Sequence, residues 1–271
     1  MSQEHRFFLP LDADDGKANE VGCIVELSDA DSHHVRNVLR LLPESNIVLV
    51  SRVTSEVFNA TIVADKSREL RGEKRTVQAE ITSVITERKA QLTTFTPDNL
   101  IRYAHLVVAL PKSDLPEWIT EKATELGATT ISFFAGDRSV VKLKTSADTL
   151  KKQRRLEVVA EAASKQSKRS NIPKIVVIES LETALHSLPE KCSLFQCSLD
   201  ADAVMLKKMQ PTELANFALI IGPEGDFSNA ENALLQKSGA QKISLGTRTL
   251  RVETAAICAL AQTALLWQTE A

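Results

Sequence analysis

The apolar run Leu219-Ile220-Ile221 stops at Gly222-Pro223-Glu224-Gly225-Asp226, and Ser228 with Glu231 forms an S-x-x-E capping box that starts a helix. A strand, a Gly-Pro-Gly elbow and a helix N-terminus in succession make a cradle in which backbone groups approach a ligand closely. A second passage of this kind follows, from the strand KISLG (242–246) through LGTRTLRVETA (245–255) into a helix beginning near Glu253. The side chains narrow the ligand. There is no G-x-x-x-x-G-K-[ST], and the first loop has no phosphate lysine, so a nucleotide polyphosphate is a poor fit. No G-x-G-x-x-G follows a strand and no G-x-S-x-G elbow occurs, which sets aside the dinucleotide fingerprint and Ser-His-Asp hydrolysis. Glu224 and Asp226 suit an ammonium or sulfonium charge, so a cationic nucleoside-like ligand fits best. Cys23, Cys192, Cys197 and Cys258 are scattered without a second ligand pair, which points to buried free thiols and no metal.

The elements that must position these loops alternate strand and helix from residue 105 onward. HLVVAL (105–110), TTISFFA (129–135), KIVVIE (174–179), SLFQCS (193–198) and FALIIG (217–222) read as buried strands. Between them, Asp114 and Glu117 predict a capping box for a helix that ends at Gly127. A long helix spans about 146–167, with Leu156, Val159, Ala163 and Gln166 as its inward stripe. This alternation predicts an α/β fold with a mostly parallel sheet and helices on both faces. The final helix, TAAICALAQTALLW, is apolar nearly all round and must be buried or meet a partner subunit.

Residues 1–73 differ, with short β-branched strands at 21–27, 46–53 and 57–64. Between the first two, a helix capped at Ser28 or Asp29 carries an apolar stripe of Val35, Val38, Leu39 and Leu42. His33, Arg36 and Arg40 fall on its other face, which is either an RNA-binding surface or an incidental polar one. The charged run 67–76 is the expected domain boundary, giving domains 1–73 and 74–271. Residues 78–86 read as a strand leading into the second domain, and 89–104 as a loop.

The 271 residues carry a formal net charge of −2, but the charge is unevenly spread. Residues 138–174 hold 11 Lys and Arg against 3 Asp and Glu, a phosphate-binding footprint or a solvated helix face. No apolar run reaches the roughly 20 residues of a membrane span. MSQEHRFFLP lacks the pattern of a signal peptide, so the expected location is the cytoplasm.

GPEGDFSNAE followed by LGTRTLRVETA resembles the RsmE family of bacterial 16S rRNA (uracil-N3) methyltransferases, within the SPOUT superfamily. LPKSDLPEWITEKATELGATTISFFAGDRSVVK (110–142) and EAASKQSKRSNIP (161–173) are similar to other blocks of that family. HRFFL (5–9) and SHHVRNVLRL (32–41) resemble its PUA-like RNA-binding domain. The resemblance implies a SPOUT-type trefoil-knotted parallel sheet behind a small PUA-like β-barrel. It also implies S-adenosyl-L-methionine as cofactor, 16S rRNA in the small ribosomal subunit as substrate, and a homodimer.

Residue by residue, it implies cofactor binding by Gly222, Pro223, Glu224, Gly225, Leu245, Gly246, Leu250, Arg251, Thr254 and Ala255. Catalytic roles fall to Arg6, Lys112, Gln166, Arg169 and Arg251, with the general base unassigned. RNA contact falls to His33, Arg36, Arg40, Arg138, Arg154, Arg155 and Lys168. Asp226 stands where the family usually has glycine, and Glu44-Ser45 where a Gly-Asp turn is typical. Two rivals stay open at this point: another SPOUT RNA methyltransferase, or a non-catalytic RNA-binding assembly factor.

Overall fold

A computed structural model describes residues 4–14, 20–65, 76–85, 103–143, 145–208 and 216–268. The expected boundary at 67–76 and most of the loop expected at 89–104 lie outside the described residues. The chain forms two compact units: residues 1–92 with 165–171, and residues 93–164 with 172–271.

In the first unit, β1 (Arg6–Phe8), β2 (Ile24–Glu26), β3 (Asn46–Val50), β4 (Val57–Asp65) and β5 (Val77–Ile85) form one sheet in the order β1-β3-β4-β5-β2. Only the β1–β3 pairing is parallel. Register shifts in the β4–β5 ladder, at Asn59/Ala60 and Ile62/Ala64, bend the long hairpin. The sheet thus curls over a core that includes Phe7, Leu27, Leu49, Phe58, Ile62 and Ile81. β5 was expected to lead into the second domain. Instead it pairs with both β4 and β2, so the first sheet extends past residue 73.

The helix of this unit also departs from expectation. Ser28 caps it by accepting from the Asp31 amide at 3.1 Å. After one α-turn, α1 (Asp29–His33), it widens into a π-helix over His34–Leu39 and ends at Arg40 in the left-handed region, φ 53°. The i→i+5 ladder changes the phase on which the apolar stripe was counted. Val35 is buried and Leu39 half-buried, but Val38 and Leu42 are 60% and 69% exposed.

In the second unit, seven strands run parallel: β6 (Tyr103–Ala109), β7 (Thr130–Phe134), β8 (Lys174–Ile178), β9 (Ser193–Cys197), β10 (Val204–Met205), β11 (Asn216–Ile221) and β12 (Gln241–Ser244). Their order is β10-β12-β9-β11-β6-β7-β8. One face is covered by α2 (Leu115–Glu125), α3 (Ser146–Gln166) and α6 (Val252–Gln268), which contribute Ile119, Leu156 and Ala256 to its core. The other is covered by α4 (Leu181–His186) and α5 (Asn229–Lys237) through Leu181, Ala184 and Leu235. Both faces being buried explains the near-continuous apolar strands.

α2 ends as expected, with Gly127 at φ 91° and the Ala128 amide bonded to Ala123 O at 2.9 Å. Its expected capping box is absent, because Asp114 makes no side-chain cap bond. Glu117 instead pairs with Arg155 Nε at 2.8 Å. The inward stripe of α3 is Leu156, Ala160, Ala163 and Ser164. At 3.6 residues per turn Gln166 falls roughly a quarter-turn aside, and it is exposed.

His105 on β6 is buried, with Nε2 3.2 Å from Asn216 Oδ1 and Nδ1 without a partner. Burial lowers its pKa against the opposing effect of the Asn216 hydrogen bond. A lowered folded-state pKa means that stability is intact above the ordinary histidine range and lost as pH falls below it. His105→Gln is expected to flatten that fall in denaturant titrations at about pH 7.5 and about pH 5. An unchanged slope would place its origin in other groups.

Candidate active site

The carboxyl ends of β9, β11 and β12 open into one cleft of about 490 Å³. Its lining comes from three loops that follow those strands: Cys197–Asp200, Ile221–Asp226 and Leu245–Val252, with Ala255 from α6. The β9 loop was not singled out in the sequence. The only available signal was that SLFQCS is a buried-type strand; its place between β11 and β12 is long-range information.

The first loop is shaped by close packing. A Cβ on Gly222 would lie 2.9 Å from the buried Phe227 ring, so only glycine lets the chain turn there. The Asp226 amide donates to Pro223 O at 2.9 Å, closing a tight turn. Asp226 has φ 60°, the left-handed conformation that glycine adopts without strain. Aspartate is accommodated because its Oδ1 accepts from the Phe227 amide at 2.8 Å. The capping box then forms as the spacing predicted: the Ser228 amide donates to Glu231 Oε2 at 2.8 Å, and the Glu231 amide to Ser228 Oγ at 3.1 Å.

In the second loop, Gln262 of α6 donates to Leu245 O at 3.1 Å and to Cys258 Sγ. The Ser244 hydroxyl donates to Gly246 O at 3.1 Å, and the Gly246 backbone sits at φ 139°. The β9 loop is held by Lys242, whose Nζ lies 2.7 Å from Asp200 Oδ2 and 3.3 Å from Asp202 Oδ2. That hydrogen bond lowers the pKa of Asp200, an exposed group. Burial, followed by the nearby Cys258, pushes the Cys197 thiol far up, so this wall of the cleft stays protonated and non-nucleophilic. Asp200, Glu224, Asp226, Arg248 and Arg251 line the cleft together with the apolar Leu245, Leu250 and Ala255.

Of the expected cofactor residues, Gly222, Pro223, Glu224, Leu245, Gly246, Leu250, Arg251 and Ala255 line this cleft. Gly225 and Thr254 adjoin it in the chain but are not among the lining residues. The other expected catalytic groups are not among these lining residues. Lys112 is exposed just past the end of β6. Arg6, Gln166 and Arg169 belong to the first unit. There Arg6 is buried, donating to Glu4 Oε1 at 3.0 Å and to Lys168 O at 2.6 Å. Gln166, read as a buried amide, is exposed. Arg169 donates to Asn171 Oδ1 at 2.9 Å; burial lowers its pKa to about 10, which leaves it charged at neutral pH.

The expected RNA contacts are mostly at the surface. His33, Arg40 and Lys168 are exposed in the first unit, while Arg36 is half-buried and donates to Ser32 O at 3.1 Å. Arg154 and Arg155 are exposed on α3 in the second, with Arg155 committed to Glu117. Arg138 donates to Gly225 O at 3.1 Å. Among the described residues no cluster of three or more His, Cys, Asp or Glu could hold a metal, and no helix is long and apolar enough to cross a membrane.

The profile of the RNA methyltransferase domain family matches residues 99–264. The chain is 29% identical over 255 residues to ribosomal RNA small subunit methyltransferase E of Bacillus subtilis (strain 168), covering 90% of each protein. It is 35% identical over 161 residues to the protein of the same name from Synechocystis, covering 58% of this chain and 51% of that one. Among solved structures, ribosomal RNA small subunit methyltransferase E from Neisseria gonorrhoeae bound to S-adenosyl methionine superposes with a TM-score of 0.80 at 26% identity, over 98% of both chains. A Legionella pneumophila protein in complex with the cofactor SAM gives 0.79 at 27%, over 97% of this chain and 98% of that one. The chain belongs to the RNA methyltransferase domain family. Its fold is of the SPOUT type, a parallel sheet behind a small barrel-like β domain.

The left-handed Asp226 gives a direct check on the loop. Asp226→Gly is expected to change stability by less than about 0.5 kcal/mol, and Asp226→Val to cost about 1–2 kcal/mol, because a β-branched residue is strained at this φ. Thermal denaturation of the two variants measures the difference; equal melting temperatures would contradict the loop conformation.

Proposed function

We propose that this member of the RNA methyltransferase domain family transfers a methyl group from S-adenosyl-L-methionine to N3 of a uridine in 16S rRNA of the small ribosomal subunit. The observation that carries the reading is the convergence of the GPEG and LRVETA loops on one cleft, in a chain that resembles a cofactor-bound relative over nearly its whole length. The lining suits that cofactor: an apolar floor of Leu245, Leu250 and Ala255 for a base, and carboxylates of Asp200, Glu224 and Asp226 for positive charge. Bound there, the cofactor supplies a methyl group already activated by the charge on its sulfur.

The protein's own contribution is then mainly positioning. Uracil N3 holds a proton and is a poor nucleophile until that proton leaves, and the resulting anion needs cationic or hydrogen-bonding company. Arg251, exposed on the cleft lining and part of the LRVETA block, takes that role in this reading. N3 also lies on the Watson–Crick edge, so the target uridine must be unpaired or flipped out to react. The first unit, read as a PUA-like module, would hold the surrounding RNA through His33, Arg36, Arg40 and Lys168. The basic residues of 138–174 would contribute further phosphate contacts. A homodimer belongs to the same reading, supported by the exposed Leu199, Val204 and Leu265, as does action in the cytoplasm on ribosomal subunits.

Incubation with labelled S-adenosylmethionine and small subunits lacking the mark is expected to yield N3-methyluridine on nucleoside analysis. Arg251→Ala is expected to lower that rate by roughly 10²–10³-fold, as loss of a transition-state donor does. A different methylated nucleoside would discard the substrate and keep the cofactor. An absence of cofactor binding would favour a non-catalytic RNA-binding assembly factor.

A further inference from the structure

The basic stretch that begins at Arg138 reads in the sequence as a phosphate-binding footprint or a solvated helix face, yet its first residue is turned to another use. The loop after β7 packs against the loop after β11 through a chain of hydrogen bonds within the second unit. Glu231 serves both sides: Oε2 accepts from the Ser228 amide in the capping box, while Oε1 accepts from the Asp137 amide at 3.0 Å. The Ser228 hydroxyl donates to Asp137 Oδ2 at 2.5 Å. Arg138 Nη1 donates to Gly225 O at 3.1 Å.

The packing is tight at both loops. A Cβ on Gly225 would lie 3.3 Å from Arg138 Cβ. A Cβ on Gly136 would lie 3.0 Å from Ser139 Oγ and 3.3 Å from Glu231 Oε1. The Gly136–Lys142 loop is itself braced, since Lys142 Nζ donates to Gly136 O at 3.2 Å and to Asp137 O at 3.0 Å. A braced loop can fix a neighbour. The turn it grips, Pro223–Asp226, presents Glu224 and Asp226 to the cleft while Gly225 faces Arg138.

We infer that Arg138 and Asp137 are positioning residues that hold the GPEG turn in its cofactor-ready shape, so that Arg138 acts on S-adenosylmethionine binding and not simply as one more phosphate contact. The inference rests on the cofactor reading given above. Arg138 touches the turn's backbone and not the cleft lining, so its effect is on the population of the competent turn. Losing it lowers apparent affinity by the fraction of molecules whose turn departs from that shape.

Calorimetric titration of S-adenosylmethionine, without RNA, into the full-length wild type, Arg138→Ala, Arg138→Lys and Asp137→Ala separates the possibilities. Arg138→Ala and Asp137→Ala are each expected to weaken binding by about five- to tenfold, the effect of one lost charge-assisted hydrogen bond at a solvent-exposed position. Arg138→Lys, which keeps a cationic donor, is expected to recover part of the loss and also guards against a folding defect in the alanine variant. In methyl-transfer assays KM for S-adenosylmethionine should rise while kcat stays within about twofold. Unchanged cofactor affinity in the alanine variants, with the salt slope of RNA binding reduced by about one, would make Arg138 a phosphate contact and overturn the inference. A wild-type protein that binds no S-adenosylmethionine would overturn the cofactor reading itself, and the positioning role with it.

Discussion

Parallel pairing of β9 with both β11 and β12 is the constraint on which the site depends. Phe217 pairs with Ser193, and Gln241 with Phe195, so strands far apart in the chain end at one edge of the sheet. In a parallel sheet the carboxyl ends all point the same way, and the loops leaving them share a crevice. The order β12-β9-β11 therefore sets the three loops beside one another without any loop contact having to bring them together. Burial of both sheet faces holds this order. Phe217, Leu219 and Ile221 pack toward α2, α3 and α6, and Ala218 and Ile220 toward α4 and α5. A slip of one residue would exchange these sets and leave the loops misaligned.

Upon that frame, the chemistry of the cleft is set by backbone shape more than by charged side chains. Phe227 lies under Gly222 and excludes any larger residue. Asp226 adopts a left-handed turn by bonding its own neighbour's amide, and Ser228 begins α5 at once through a reciprocal cap. Each choice leaves the next little freedom, so the turn arrives at the cleft already folded. Preorganisation of this kind is what a positioning enzyme requires, because the energy of ordering is spent in folding and not at the moment of binding.

Features encoded by neighbouring residues were legible in the sequence. The Ser228–Glu231 box, the Gly127 helix end and the buried strands are each written in a few adjacent positions. The GPEG and LRVETA loops that line the cleft were legible for the same reason, helped by their resemblance to a known family. Features decided at long range were not. β5 has an alternating pattern that fits either sheet, and only its pairing with β4 and β2 assigns it to the first. The Asp137–Ser228 contact joins residues 91 positions apart, and no local signal marks it. The π-turn at His34–Leu39 escaped because hydrophobic period assumes an α ladder; Val38 falls out of phase once the ladder widens, and Leu42 lies past the helix end at Arg40. Asp114 shows the limit of motif spacing: the box residues are present, but Arg155 draws Glu117 away from the cap.

In the function proposed above, the β9, β11 and β12 loops together bind the methyl donor. A crystal structure of the protein grown with S-adenosylmethionine tests it most directly. Density for the nucleoside enclosed by Gly222–Asp226, Leu245–Arg251 and the Cys197–Asp200 loop would be the expected result. Well-ordered cofactor bound elsewhere on the molecule, with this cleft holding only solvent, would contradict it.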